Sequence, residues 1–374
     1  MLSFAVISAL ESEISRIYAQ VETDLVARIA SELSKGTGAS ISPVSWRVEK
    51  LRQMGKVQGQ LADLLRRESR NISPDIEDAI VKAMLGAGAA DDEILKQVAV
   101  VKEQIAAGTW VPAKESTVYQ SLAEAAIRNA RTALNLTNTS ALQAGTQAFQ
   151  SSVNGAYLRT LTGSTSLDQA VKRAVRELGG SGVRLTYSSN SGRVTTYSLD
   201  AAVRRDVVTS VNQASAEMTV GRMDEYGLDL VEVTAHVGSR PEHAVWQGKV
   251  YSLHGKTPGY QLLSVATGYG QADGLAGCNC RHTFYPYYPG LSKQMDTSSL
   301  PGKRENDELY KQTQQQRYLE RQIRTYKRQA ATCDAASDKD GAVLATQKVR
   351  DYQTRMRELV KATGLTRQYP REQV

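Results

Sequence analysis

Apolar side chains recur at Ile7, Leu10, Ile14, Ile17, Val21, Leu25, Ile29 and Leu33, in steps of three and four that lay one stripe along a helix over residues 2–34. Gly36 and Gly38 end that stripe, and Ser42-Pro43 supplies an N-cap and a first-turn proline for the next helix. This second helix carries Val44, Val48, Leu51, Leu61, Leu64 and Leu65, with Gly55 and Gly59 weakening its middle. Ser73-Pro74-Asp75 repeats the start signal, and Asp91-Asp92 offers another ahead of Ile94, Val98 and Ile105. Further helices are predicted from about Thr117 to Leu136, and one or two more between Ser140 and Leu161. The pattern is that of a helical N-terminal half, with no repeat at a fixed period.

Ser166 with Gln169 forms a capping box for a helix that ends at Gly179-Gly180. The period then changes. Val183-Arg184-Leu185-Thr186-Tyr187 and Arg193-Val194-Thr195-Thr196-Tyr197 alternate around Ser189-Asn190-Ser191-Gly192, which predicts a hairpin. A helix resumes from about Leu199 to Gly227, and strands are expected at Leu230 to His236, Gln247 to Ser252 and Arg281 to Tyr285. Beyond Gly302 two long polar helices, about 305–330 and 341–362, flank a turn at Asp338-Lys339-Asp340-Gly341. Their apolar stripes are sparse, as expected of a helical hairpin or coiled coil that needs a partner surface. The fold class read from these patterns is α+β. It comprises a helical N-terminal region (1–163), a small mixed α/β central module with a loop-rich His/Cys segment (164–292) and a helical C-terminal arm (303–374).

Composition narrows the class. Hydrophobic residues at 41% and charged residues at 23% over 374 positions are enough for at least one full core and are typical of a globular chain. Three cysteines do not make a disulfide framework, which favours a reducing compartment. The apolar run Met1 to Leu10 lacks a basic flank and is cut by Glu11 and Glu13, so it reads as a helix start rather than a signal peptide, and no stretch reaches the length of a membrane span. Net charge is +7, and from residue 301 onward sixteen Lys or Arg face ten Asp or Glu, so the C-terminal arm carries nearly the whole surplus. Arg317, Arg321, Arg324 and Arg328 step by four, three and four along one face, with Lys327 beside them. These five are the candidates for sequence-independent contact with DNA phosphates; a solvated face neutralised by Glu320, Asp351 and Glu358 is the plainer alternative.

The chemistry-bearing residues collect between Leu228 and Gly290. All four histidines are there (His236, His243, His254 and His282), with Cys278, Cys280 and Trp246. Cys278, Cys280 and His282 are two apart, so an extended strand would turn all three to one face, and thiolate with imidazole is a zinc donor set that His243 or His236 would complete. Against this, structural zinc sites typically separate two cysteines by about two to four residues. Gly277 and Asn279 also read as a tight turn. Buried, hydrogen-bonded structural residues without a cofactor are therefore the favoured reading, with zinc on His243, Cys278, Cys280 and His282 as the alternative. A thiol nucleophile at Cys280, activated by His243 or His282 with Arg281 nearby, is a weaker one. Glu232, Glu242 and Asp273 are the only acids near the histidines and form no paired-carboxylate set, and Gly268-Tyr269-Gly270 lacks a phosphate-cradling pattern. Arg240 and Pro241 are expected to fix their loop, and Tyr285, Tyr287 and Tyr288 to serve packing or an interface.

The order Ser239-Arg240-Pro241-Glu242-His243, then Trp246-Gln247-Gly248-Lys249-Val250-Tyr251, then Gly274-Leu275 and Gly277-Cys278-Asn279-Cys280-Arg281-His282 resembles the phage minor capsid protein 2 family. More distantly it is similar to the C-terminal module of Mu-type head morphogenesis proteins, which carry an Arg-Pro-x-His segment, a Gly and a closing Asn-Cys-Arg-Cys or Asn-Cys-Arg-His. On this resemblance the motif residues are Arg240, Pro241, His243, Gly248, Gly274, Asn279, Cys280, Arg281 and His282, in a structural role. The resemblance implies a minor structural component of a tailed-phage head, present in several copies around the portal and acting in head morphogenesis, DNA packaging or ejection. Its implied partners are the portal protein, the major capsid protein and packaged double-stranded DNA, with no membrane. It would be found in the virion head, and in the host cytoplasm during assembly. It implies no enzymatic activity. The alternatives are a metal- or thiol-dependent effector or nuclease carried in the head, and a non-specific DNA-binding packaging accessory.

Overall fold

The long apolar stripes become long helices. The computed structural model describes residues 4–37, 41–161, 163, 165–188, 192 and 194–374, without the side chains of residues 4–6, 71–73 and 75. Helix α1 (Phe4–Ser34) buries Ile14, Val21, Leu25, Ile29 and Leu33 on the expected stripe, and Gly36 follows it at a φ of 70°. Gly38 and the 189–191 part of the predicted turn lie outside the described residues, as does Arg193. Ser42 caps α2 (Pro43–Arg52) by accepting from the Ser45 amide, with Pro43 in the first turn.

Three expected boundaries are absent. Helix α3 (Met54–Leu95) continues through Pro74, although that residue has no amide to donate to the carbonyl four positions back. Asp91 and Asp92 therefore lie inside a helix instead of opening one; α4 begins later, at Ala99–Ala106. The two aspartates are taken by tertiary partners: Asp91 accepts from the Thr219 hydroxyl (2.6 Å), and Asp92 accepts from the Ala113 amide (2.7 Å) and from Arg222 (2.8 Å). Residues 117–161 form one helix, α5 (Thr117–Leu161), where two or three were expected. In each case a local stop signal yields to burial of the helix face.

The capping box at Ser166 and Gln169 opens α6 (Leu167–Ser181), which runs one residue past the expected Gly179-Gly180 end, with Gly182 following at a φ of 68°. Strands β1 (Arg184–Ser188) and β2 (Val194–Ser198) form the predicted antiparallel hairpin, with Leu185 opposite Tyr197. Helix α7 (Leu199–Glu225) leads to β3 (Leu230–Val233), the centre of a three-stranded antiparallel sheet ordered β4-β3-β5, where β4 is Val250–Ser252 and β5 is Phe284–Pro286. Two short helices, α8 (Pro241–Ala244) and α9 (Leu263–Thr267), lie between these strands. The expected strand at Arg281 begins only at Phe284, because Asn279 takes a left-handed φ of 55° and the chain turns there. Helices α10 (Lys303–Ala335) and α11 (Lys339–Thr363) are the predicted C-terminal pair, with Asp338 capping α11 through the Gly341 amide. The described residues are 69% helical with small antiparallel sheets, an α+β protein.

The described chain forms two compact units, each gathered from three separate stretches: 1–11, 74–133 and 205–314 in the first, and 12–73, 134–204 and 315–374 in the second. The first holds the β4-β3-β5 sheet and a core of Val231, Val233, Trp246, Tyr251, Leu275, Cys280 and Phe284. A satellite cluster of Leu95, Val98 and Val101 takes in Tyr288 as packing, as the tyrosine-rich segment predicted. In the second, α10 and α11 share a cluster of Leu319, Ile323 and Met356, with Val349, Tyr352, Leu359 and Val360 against it. No helix among the described residues is long and apolar enough to cross a membrane.

Candidate functional site

Two loops on the first unit's sheet bring the His/Cys motif together. One runs from Ser239 to Gly248. Arg240 occupies the N-cap position of α8 and Pro241 its first turn, where a fixed φ and a missing amide suit a helix start. That one turn sets His243 inward, 3% exposed. The other runs from Gly268 to Thr283 and is too compact for side chains at two points. A Cβ at Gly274 would meet the Gly268 carbonyl oxygen at 2.0 Å, and one at Gly277 would meet the Ala272 and Gln271 carbonyl oxygens at 2.6 Å. Arg240 donates to the Cys278 carbonyl (2.8 Å), tying the two loops together. Gly248, at a φ of 66°, turns the chain into β4.

His243, Cys280 and His282 converge. Cys280 Sγ lies 3.7 Å from His243 Nδ1 and 3.8 Å from His282 Nδ1, and all three residues are buried. The outer nitrogens fix the tautomers. His243 Nε2 is 3.0 Å from the Asp273 carbonyl oxygen, an acceptor only, so Nε2 carries the proton. His282 Nε2 is 3.0 Å from Gln247 Oε1. The His236 backbone amide, 3.1 Å from the same Oε1, requires oxygen at that position, so His282 also donates from Nε2. Both Nδ1 lone pairs therefore point at one sulfur. The aromatic wall is Trp246, with its ring centroid 4.6 Å from that of His243 and 4.8 Å from that of His282.

The electrostatics follow from burial. Desolvation pushes the His243 imidazole below its ordinary value, and His282 well below it, the latter helped by His236, His243 and Arg240; both rings are neutral near pH 7. Desolvation pushes the Cys280 thiol up, against several backbone hydrogen bonds and the Arg240 charge, so on these grounds it holds its proton. A neutral, raised-pKa thiol is a poor nucleophile.

The remaining motif residues are spread around this cluster. Cys278 stands outside it: the left-handed turn at Asn279 breaks the strand alternation that would have aligned Cys278 with Cys280 and His282, and Cys278 contributes a carbonyl instead. His236 stacks on His282 at 4.3 Å between centroids rather than joining as a donor. Arg281 turns away from the thiol to pair with Glu11 of α1. Asp273 offers its backbone rather than its carboxylate, and Glu232 accepts from the Met295 amide. The sequence gives no sign of one contributor, Asn212 of α7, fully buried, which donates to the Cys280 carbonyl; Gln247 stands there only within the motif stretch, and Asp273 only as an acid. A lone Gln or Asn carries no pattern; only its partner marks it.

The chain matches the phage minor capsid protein 2 family over residues 5–361. The chain belongs to that family. It is 26% identical over 351 residues to a protein of Lactococcus phage LL-H named "Structural protein", covering 88% of each chain. It is 34% identical over 110 residues to a protein of the same name from Lactococcus phage mv4, covering 29% of this chain and 86% of that one. No solved structure matches. The His/Cys cluster and its supporting loops thus fall within the span matched to the minor capsid protein 2 family.

The basic candidates of the C-terminal arm lie in the second unit, and two of them face inward. Arg328 pairs with Glu22 (3.2 Å) and donates to the carbonyls of Gly179 and Gly180; Arg324 pairs with Asp200 (3.0 Å). Those ion pairs are buried and engage both arginines within the second unit. Lys327 donates to Gln373 (2.8 Å), Arg317 is half-buried, and Arg321 is exposed. Glu22 and Asp200 pair with the inward arginines, and the expected Glu320, itself buried, faces Arg371, Arg324 and Arg317. On α11, Lys348, Arg350, Arg355, Arg357 and Lys361 are exposed.

Proposed function

We propose that the protein is a minor structural component of a tailed-phage head, set at the portal vertex in several copies against the portal protein and the major capsid protein. There it serves head morphogenesis, DNA packaging or ejection. The observation that carries this reading is the family match across residues 5–361, nearly the whole chain. The relatives' name, "Structural protein", supports a place in the virion. The motif supports a structural rather than an enzymatic role: Arg240, His243, Arg281 and His282 are each engaged by backbone or side-chain partners that hold loops in place.

Cross-linking mass spectrometry on purified virions, separated into DNA-filled and empty heads, tests the reading. The protein should be found in filled heads with cross-links to the portal protein. Its absence from filled heads would sink the proposal.

Contact with packaged DNA is proposed as a secondary role. It is supported by the exposed basic side chains of α11, Arg350, Arg355, Arg357 and Lys361, rather than by the inward arginines of α10.

A further inference from the structure

The His243–Cys280–His282 cluster is a poor hydrogen-bonding unit as it stands. Each imidazole commits its Nε2 proton outward, to the Asp273 carbonyl and to Gln247 Oε1, and aims an Nδ1 lone pair at the sulfur. The sulfur has one proton to give. A third acceptor, the His282 carbonyl at 3.8 Å, competes for it. At least one buried imidazole lone pair is therefore left facing a sulfur lone pair, an arrangement that buried polar groups normally avoid.

The same arrangement is what a cation requires. Metal-bound histidines ordinarily donate their other ring proton to a carbonyl or carboxylate, which fixes the tautomer and orients the lone pair; both histidines already do so, to a carbonyl and to a carboxamide oxygen. One donor atom from each of the three residues lies within 4.8 Å of the others. Bond lengths of about 2.3 Å to sulfur and about 2.0–2.1 Å to nitrogen place S and N about 3.6 Å apart around a tetrahedral ion. The two S–N separations here are 3.7 and 3.8 Å.

We propose that His243 Nδ1, Cys280 Sγ and His282 Nδ1 bind one zinc-class divalent ion. Nitrogen and thiolate donors suit zinc over the oxygen-preferring magnesium and calcium. Binding forms a metal–thiolate bond, and the thiol proton is released to solvent. The ion clamps the 239–248 loop to the 274–283 loop, a structural role that does not depend on where the protein sits in the head.

The test uses the full chain. Plasma mass spectrometry of protein purified from zinc-supplemented cells should find about one zinc per chain. Cobalt(II) added to metal-stripped protein should give a thiolate-to-metal charge-transfer band and the intense visible bands of a tetrahedral site. Cys280→Ser should lose the charge-transfer band, while Cys278→Ser and the buried-cysteine control Cys333→Ser keep it. Should Cys280→Ser not fold, X-ray absorption on zinc-loaded wild-type protein decides. One sulfur with two imidazole nitrogens in the shell supports the site; a shell with no sulfur, or with two, overturns it. So does a failure of both zinc and cobalt to bind at one per chain, or a charge-transfer band that survives in Cys280→Ser.

Discussion

A methyl group added at Gly274 would sit 2.0 Å from the Gly268 carbonyl oxygen and 2.4 Å from its carbon, and backbone cannot step aside as a flexible side chain can. Gly221, inside α7, meets nothing within 4 Å. The same substitution should therefore have opposite signs at the two places. Gly274→Ala is expected to destabilise by about 1–3 kcal/mol through overpacking. Gly221→Ala should stabilise by about 0.5–1 kcal/mol, because alanine loses less backbone freedom in a helix. Urea unfolding midpoints check both, and equal shifts would contradict the close approach of the two glycine backbones. The sequence marked Gly274 only through the family motif. Its neighbour Asn279 was legible as a turn residue, because Asn tolerates the left-handed region, and the φ of 55° there is what removes Cys278 from the cluster.

Among the elements, the stretch Asp338-Lys339-Asp340-Gly341, expected as a turn, is the N-cap and first turn of α11, and the junction of α10 and α11 rests on Asp338. Its carboxylate does two things at once: it accepts from the Gly341 amide as N-cap and takes two bonds from Arg176 of α6, at 2.6 and 2.8 Å. The Arg176 hydrogen bond holds the carboxyl below its ordinary value of 3.8, against the upward push of burial. Asp338→Asn keeps a capping oxygen and loses the charge, whereas Asp338→Ala loses both. Arg176 is a third exposed, so solvent screening limits the ion pair. Asp338→Ala is expected to cost about 2 kcal/mol and Asp338→Asn about 1 kcal/mol less than that. The sign with pH is set by the lowered value: the ion pair's contribution is complete above 3.8 and is lost as pH falls through the still lower folded value. Thermal midpoints of wild type and Asp338→Asn should thus stay a constant distance apart near neutrality and converge in acid.

At the scale of the whole molecule, net charge of +7 is distributed differently from what a helical wheel implies. Arg324 and Arg328 neutralise Asp200 and Glu22 inside the second unit, so only outward cations remain for a polyanion. If α11 meets DNA, replacing Arg350, Arg355, Arg357 and Lys361 with Gln should weaken non-specific binding and flatten its salt dependence, by about 0.9 in log–log slope for each phosphate no longer neutralised. Fluorescence anisotropy across a salt series measures this, and an unchanged slope would exclude DNA as a partner of that helix. What the sequence determined by itself was local: the stripe of α1, the Ser42 and Ser166 caps, the β1–β2 hairpin and the break between α10 and α11. All of these depend on residues within a few positions of one another. What only the tertiary structure decided was partner choice. Glu11 meets Arg281, Asp200 meets Arg324 and Asn212 meets the Cys280 carbonyl across separations of 270, 124 and 68 residues. The passage of α3 through Pro74 and the fusion of residues 117–161 into one helix belong there too, since burial of long faces overrode local stop signals. Periodicity and capping are encoded in short windows. Which buried charge or lone pair finds which partner depends on the packed chain, because only desolvation makes that pairing obligatory.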